Sequence, residues 1–253
     1  MNKREPEISQ RLIDLNRRFY AEFGPAFAAT RRRIQPGVRR ALDGLPDALG
    51  ERWVDLGCGS GALAAEWLRS GRQSRYLGLD FSGPLLAEAR QAVEGLDGAE
   101  RTAFALIDLG SLAWANGLNG EFRGALAFAV LHHLPGKANR ERLLSQVRGL
   151  LSSGGVFVHS VWQFQHSAKL LARVQSWEEA GFEESQLEPG DTLLDWRYAL
   201  PGQAEQVGLR YVHAFTRPEL EELARATGFA VSSEFESDGQ GGRLGLYQVW
   251  EVR

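Results

Sequence analysis

The stretch Trp53-Val54-Asp55-Leu56-Gly57-Cys58-Gly59-Ser60-Gly61 constrains this chain more than any other. A short apolar run ends in an aspartate, enters glycines at alternate positions and is followed at once by a helical run from Ala62 to Ser70. Glycine lets the backbone turn sharply and approach a ligand closely. The start of a helix then offers N–H groups that have no partner within the helix. Tyr76-Leu77-Gly78-Leu79 reads as the next strand. Asp80 ends it about 20 residues after the loop, where doubly wound folds hold a ribose diol. Together these features predict an α/β sheet that binds a nucleoside-bearing cofactor.

Gly57-x-Gly59-x-x-Ala62 also fits the relaxed dinucleotide fingerprint, so the loop alone leaves NAD open. Further runs bear on the choice. Phe104-Ala105-Leu106-Ile107 ends in Asp108, and Ala125-Leu126-Ala127-Phe128-Ala129-Val130 leads into Leu131-His132-His133-Leu134-Pro135. No tyrosine has a lysine four residues later, so one common dehydrogenase pair is missing. With Asp55 leading the glycines, this order resembles motif I and the following strands of the class I S-adenosylmethionine-dependent methyltransferases. The resemblance implies S-adenosyl-L-methionine as cofactor. It also implies a Rossmann-like seven-stranded methyltransferase sheet, mostly parallel with an antiparallel last strand.

At 253 residues and 43% apolar, the chain can bury a sizeable core. No apolar run approaches the ~18 residues of a membrane span. The first residues lead into no apolar stretch, so neither a membrane partner nor a secretory signal is expected. Cys58 is the single cysteine; an intrachain disulfide is impossible, which fits a reducing cytoplasm. Within the glycine loop it reads as a small filler rather than a reactive thiol. The net charge of −3 argues against a strongly basic nucleic-acid binder, yet residues 1–50 carry ten Lys and Arg against six Asp and Glu.

Residues 9–43 read as helical, with Leu12, Leu15, Phe19, Phe23 and Phe27 at steps of three and four and a break at Pro36-Gly37. This makes 1–50 an N-terminal helical appendage or lid ahead of a domain over 51–253. There, strands over 52–56, 75–79, 102–107, 124–130 and 156–162 alternate with helices over 61–70, 83–94 and 137–151, the last stopped by Gly154-Gly155. Such alternation predicts a parallel sheet covered on both faces. Over about 163–210 it fails, which reads as an insertion covering the active site. Thr216 and Glu219 have capping-box spacing for a further helix. Phe229 to Phe235 and Leu244 to Val252 then form a closing antiparallel hairpin.

By the resemblance, Asp55 and the backbone of Gly57, Cys58, Gly59 and Gly61 face the methionine end of the cofactor. Asp80 would accept the ribose hydroxyls and Asp108 the adenine amino group, with Phe81 and Leu109 on the adenine faces and Ala129 in the same wall. Each acid alone reads as well as a helix cap or a solvated turn. His132-His133 can supply a general base near pH 7, or equally a polar residue bonded to a loop carbonyl. None of the five histidines has zinc-helix spacing or a cysteine partner, so no metal site is expected.

Several local stretches resemble a narrower group: the eukaryotic tRNA methyltransferases that esterify the carboxymethyl group of wobble uridine, and their bacterial relatives. They are Tyr20 through Phe27, Thr30-Arg31, Pro36-x-Val38, Val130 through Leu134, Val161-Trp162-x-x-Gln165, Asp191 through Arg197 and Arg210-Tyr211-x-His213-x-Phe215. Gln35 and Arg123 depart from the group, which often has a tryptophan and an aspartate there. The resemblance implies Tyr20, His132 and His133 as catalytic residues, and Arg31, Trp162, Tyr211 and His213 as substrate-binding residues. It also implies tRNA as the acceptor, and a small zinc-binding protein activator of the kind the eukaryotic enzymes use. A carboxylate acceptor is ionised at pH 7 and needs no base. Arg31-Arg32-Arg33 fits a phosphate grip or a solvated face alike. Two other functions stay open. One is a small-molecule O- or N-methyltransferase with Trp162, Trp177 and Trp196 lining an aromatic pocket. The other is a non-catalytic S-adenosylmethionine-binding protein.

Overall fold

Apolar runs that stop at aspartate or glycine become strands, and amphipathic runs between them become helices. A computed structural model describes residues 5–29, 33–118, 121–198 and 205–253. The N-terminal part holds α1 (Glu5–Ala29) and α2 (Pro36–Asp43). The central alternation is β1 (Arg52–Leu56), α3 (Ala62–Arg69), β2 (Arg75–Asp80), α4 (Gly83–Val93), β3 (Thr102–Leu106), β4 (Phe122–Phe128), α5 (Lys137–Leu150) and β5 (Leu151–Trp162). After it come α6 (Ala168–Leu171), β6 (Val174–Gln175), β7 (Asp191–Tyr198), β8 (Gln206–His213), α7 (Arg217–Ala226), β9 (Phe229–Ser237) and β10 (Gly245–Val252).

The main sheet runs β3-β2-β1-β4-β5-β10-β9. Pairs among the first five strands are parallel, and β10 is antiparallel to both neighbours. This is the seven-stranded sheet the resemblance implied. Its central strands are buried on both faces. Val54, Leu56, Leu79 and Phe157 pack with α5 and α7 on one side, while Trp53, Trp67, Tyr76 and Leu126 pack with α2 and α3 on the other. Each fully buried aliphatic side chain contributes about 1.5–3 kcal/mol. The chain order reverses between β1 and β4, so the loops leaving their carboxyl ends diverge and open a crevice.

Several boundaries differ from expectation. The strand expected over 124–130 ends at Phe128, because Ala129 takes a left-handed φ of 58° and sends its N–H to Ser160. Gly154-Gly155 does not stop α5. The helix ends at Leu150, and the glycines lie in an irregular opening of β5, where the pairing with β4 shifts register. Pro36 begins α2 instead of only breaking a helix, since proline at the first turn forfeits no intrahelical bond. The capping box of Thr216 and Glu219 forms as expected at the start of α7.

The N-terminal helices part company. α2 packs on β9 and β10, whereas α1 lies along β8 and touches α4. β8 belongs to a second sheet, β6-β7-β8, which gives the expected insertion its order and carries it on to His213. The apolar stripe Ile8, Leu12 and Leu15 of α1 buries against Trp177, Leu193 and Tyr211. Phe19 and Phe23 meet Trp196 at 5.9 and 5.6 Å between ring centroids. α1 and the second sheet thus form one cap over the crevice.

Candidate active site

The loop after β1 hooks over the neighbouring strand. The N–H groups of Gly57 and Cys58 both donate to the Leu79 carbonyl, at 2.8 and 2.9 Å. The Gly59 N–H donates to Asp80 Oδ2 at 2.9 Å, and the Ser82 N–H donates to Oδ1 at 2.9 Å. Gly59 has φ 55°, and a Cβ there would meet nothing within 4 Å, so its bare backbone faces open space. Gly61 serves packing instead: a Cβ would sit 2.7 Å from the Ala89 Cα, so only glycine lets α3 close on α4.

These groups wall a cavity of about 360 Å³. Gly57, Cys58, Gly59, Asp80, Phe81, Asp108, Leu109 and Ala129 all line it, as do Tyr20, His133 and Trp162. Burial pushes the Asp80 carboxyl above its ordinary pKa, against the pull of its backbone N–H bonds. Burial, with Asp55 and Asp80 nearby, pushes the Cys58 thiol up, which makes it an inert filler. Asp108 accepts from the Gly110 N–H at 2.8 Å and is ion-paired with Arg17 of α1.

Besides Gly61, four described candidates do not line the cavity. Asp55 points away from the cavity and takes a hydrogen bond from the Tyr76 hydroxyl. Burial raises its carboxyl pKa to about 7, so it is a strut beneath the loop. His132 is fully buried; its Nδ1 accepts the Trp162 N–H at 3.4 Å, and its ring stacks on Trp162. The Tyr211 hydroxyl donates to Asp191 Oδ1 at 2.8 Å. His213 lies between Asp191 and Glu219, 2.8 Å from each. Arg140, 2% exposed, joins this cluster through Glu188 at 2.6 Å. Glu188, Asp191 and His213 bring ligand atoms within 4.8 Å of one another, but Arg140 pairs with Glu188 and the Tyr211 hydroxyl donates to Asp191, so the group ties the second sheet to α5 and α7. Arg31 lies outside the described residues.

His133 faces the cavity. Its Nδ1 is 3.3 Å from the Tyr211 carbonyl, which can only accept, so Nδ1 carries a proton. In the neutral ring Nε2 then accepts from the Tyr20 hydroxyl, 3.1 Å away. Asn16 fixes the arrangement: its side chain accepts the Tyr211 N–H and donates to the Tyr211 and His133 carbonyls. Asn16 and Arg17 also line the cavity, and sequence reasoning missed them. The signal was present, since Ile13, Asn16, Arg17, Tyr20 and Gly24 follow helical spacing beside the apolar stripe of α1.

The methyltransferase-domain family matches residues 54–157. A protein of Encephalitozoon cuniculi that bears the name methyltransferase is 31% identical over 85% of this chain and 86% of its own length. The chain belongs to the S-adenosylmethionine-dependent methyltransferases.

As a methyltransferase it also resembles the tRNA (carboxymethyluridine(34)-5-O)-methyltransferase of Schizosaccharomyces pombe, at 25% identity over 84% of this chain and 87% of that one. It spans 42% of the length of an Arabidopsis thaliana relative with the same description. A glycopeptide N-methyltransferase bound to S-adenosyl-L-homocysteine shares the fold, with TM-score 0.62, 17% identity and coverage of 87% and 88% of the two chains. The cofactor of this methyltransferase is S-adenosylmethionine. The chain's own geometry fits it. The side-chain-free path at Gly59 leaves room beside the loop, and Asp80 keeps acceptor capacity beyond its two N–H bonds. Among the described residues no helix is long and apolar enough to cross a membrane.

Proposed function

We propose that this methyltransferase acts on tRNA and esterifies a carboxymethyl group of the kind borne by wobble uridine. The observation that carries the acceptor chemistry is His133: both its ring nitrogens are engaged, by Tyr20 and by the Tyr211 carbonyl, so this imidazole is already occupied when an acceptor arrives. That suits a carboxylate, which arrives ionised. The two relatives described as carboxymethyluridine methyltransferases support tRNA as its carrier.

In this reading the backbone of Gly57, Cys58 and Gly59 receives the methionine end, and Asp80 accepts the ribose hydroxyls. Asp108 takes the adenine amino group, flanked by Phe81 and Leu109, and Ala129 closes the wall. Gly61 and Asp55 act from behind, one by helix packing and the other by bracing the loop. Bound S-adenosylmethionine would supply a sulfonium methyl group to the acceptor oxygen, with a neutral thioether as leaving group. Tyr20, His133 and Trp162 would orient the acceptor and exclude water, and such positioning supplies much of the rate. No proton need move.

A second reading, a small-molecule O- or N-methyltransferase, draws on α1, which lies against the cavity and limits the size of an acceptor. Labelled methyl transfer to bulk tRNA from a strain lacking this gene separates the two. Incorporation into a base-labile ester on tRNA is expected. Labelling of a small-metabolite extract, with tRNA left unlabelled, would overturn the tRNA reading.

A further inference from the structure

Alternation along β8 puts Tyr211 and His213 on one face and Arg210 and Val212 on the other. The first face feeds the polar cluster around Asp191. The second turns toward the cavity wall. Arg210 is only 2% exposed, and its guanidinium carbon lies 4.6 Å from the centre of the Trp162 ring and 5.6 Å from that of Phe19. Burial pulls its pKa down, while hydrogen bonding with Tyr20 holds it up. Arginine nonetheless stays charged at any working pH. Tyr20 and Trp162 are both lining residues, so one layer of side chain separates a fixed positive charge from the interior.

We propose that Arg210 is a positioning and specificity residue for the methyl acceptor. It braces Tyr20 and gives the acceptor end a positive potential that favours an anionic oxygen nucleophile, a carboxylate, over a neutral acceptor. This rests on taking the Tyr20–His133–Trp162 end of the cavity as the acceptor end. A buried charge acts strongly over short distances because little water screens it. It would attract a carboxylate and repel an ammonium. Methyl transfer turns the carboxylate into a neutral ester and the sulfonium into a neutral thioether, so the attraction falls as the bond forms. Arg210 therefore favours the bound acceptor more than the transition state. Its removal should raise KM and leave kcat unchanged or slightly raised.

The test compares wild type, Arg210→Met, Arg210→Lys and Tyr20→Phe. The probes are anticodon stem-loops and free nucleosides carrying 5-carboxymethyluridine or its neutral amide, 5-carbamoylmethyluridine. Cofactor affinity, read by calorimetry, should stay within about twofold in all four proteins, which shows an intact fold and cofactor end. Wild type loaded with S-adenosylhomocysteine should bind the acid about tenfold or more better than the amide, and Arg210→Met should lose that preference. For methylation of the acid, KM should rise about tenfold in Arg210→Met with kcat within about threefold, and Arg210→Lys should recover most of the loss. Tyr20→Phe should keep part of the preference, because the charge remains. The inference is overturned if wild type shows no preference for the acid, if Arg210→Met keeps the wild-type preference, or if Arg210→Met loses cofactor and both acceptors in parallel. A protein that prefers the acid nucleoside yet never labels tRNA would sink the tRNA reading alone and leave Arg210's role standing.

Discussion

In the proposed reading, with cofactor at one end of the cavity and acceptor at the other, the two ends are built in opposite ways. The cofactor end is made of backbone and short loops that follow β1, β2 and β3, each held by groups within a few residues of a strand tip. The acceptor end gathers single side chains from distant stretches: Asn16 and Tyr20 from α1, His133 after β4, Trp162 from β5, and Tyr211 through its carbonyl from β8. A site of the first kind depends on its turns and on the acids at its strand tips. One of the second kind depends on how a cap is docked. Cofactor binding and acceptor binding should therefore fail separately.

The largest effect should come from the turn. Gly61→Val forces a branched side chain onto φ 79° with its Cβ against the Ala89 backbone. It should cost about 3 kcal/mol or more in thermal unfolding and take cofactor binding with it. Asp80→Ala should weaken S-adenosylmethionine binding by about 1–3 kcal/mol in calorimetry, because charge-assisted bonds are lost. Binding of a carboxymethyluridine stem-loop should change far less. Asn16→Ala reverses that pattern. It strips the cap of bonds to Tyr211 and His133. It should cost about 1–2 kcal/mol of stability and raise the acceptor KM while cofactor affinity holds. Loss of both affinities together in either variant would erase the distinction between the ends.

The smallest effect is a pH dependence of docking. Burial pulls His213 down, but its bonds to Asp191 and Glu219 prevail and raise its pKa above the ordinary 6.5. A histidine held protonated in the fold contributes its full stabilisation below about pH 6.5 and loses it as pH rises through the raised value. Unfolding stability should decline over that window, and His213→Gln should flatten the slope. Cofactor affinity measured across the same window should not follow it.

The same contrast explains what the sequence could reveal. The glycine loop, Asp80, Asp108 and the strand–helix alternation were legible because each depends on local spacing: a strand, a turn that needs positive φ, a helix start. Asp55 shares that spacing, yet its orientation was not legible, because the partner that claims it is Tyr76 on the neighbouring strand. His132 and His133 are adjacent in sequence and their rings lie 4.3 Å apart, yet only His133 lines the cavity. A tight turn aims one at the Trp162 N–H behind the wall and the other into the cavity. Tyr211 and His213 matched their motif, but strand alternation turned them toward Asp191 and left Arg210 nearest the site. Docking of α1 across the crevice depends on contacts more than a hundred residues apart, which no local pattern encodes.

The most direct measurement is a crystal structure with S-adenosyl-L-homocysteine bound. The ribose should lie on Asp80, the adenine between Phe81 and Leu109 with its amino group on Asp108, and the sulfur should point toward the space beside Tyr20, His133 and Trp162. A ligand whose ribose makes no contact with Asp80, or whose sulfur points away from Tyr20 and His133, would contradict the division of the cavity into these two ends.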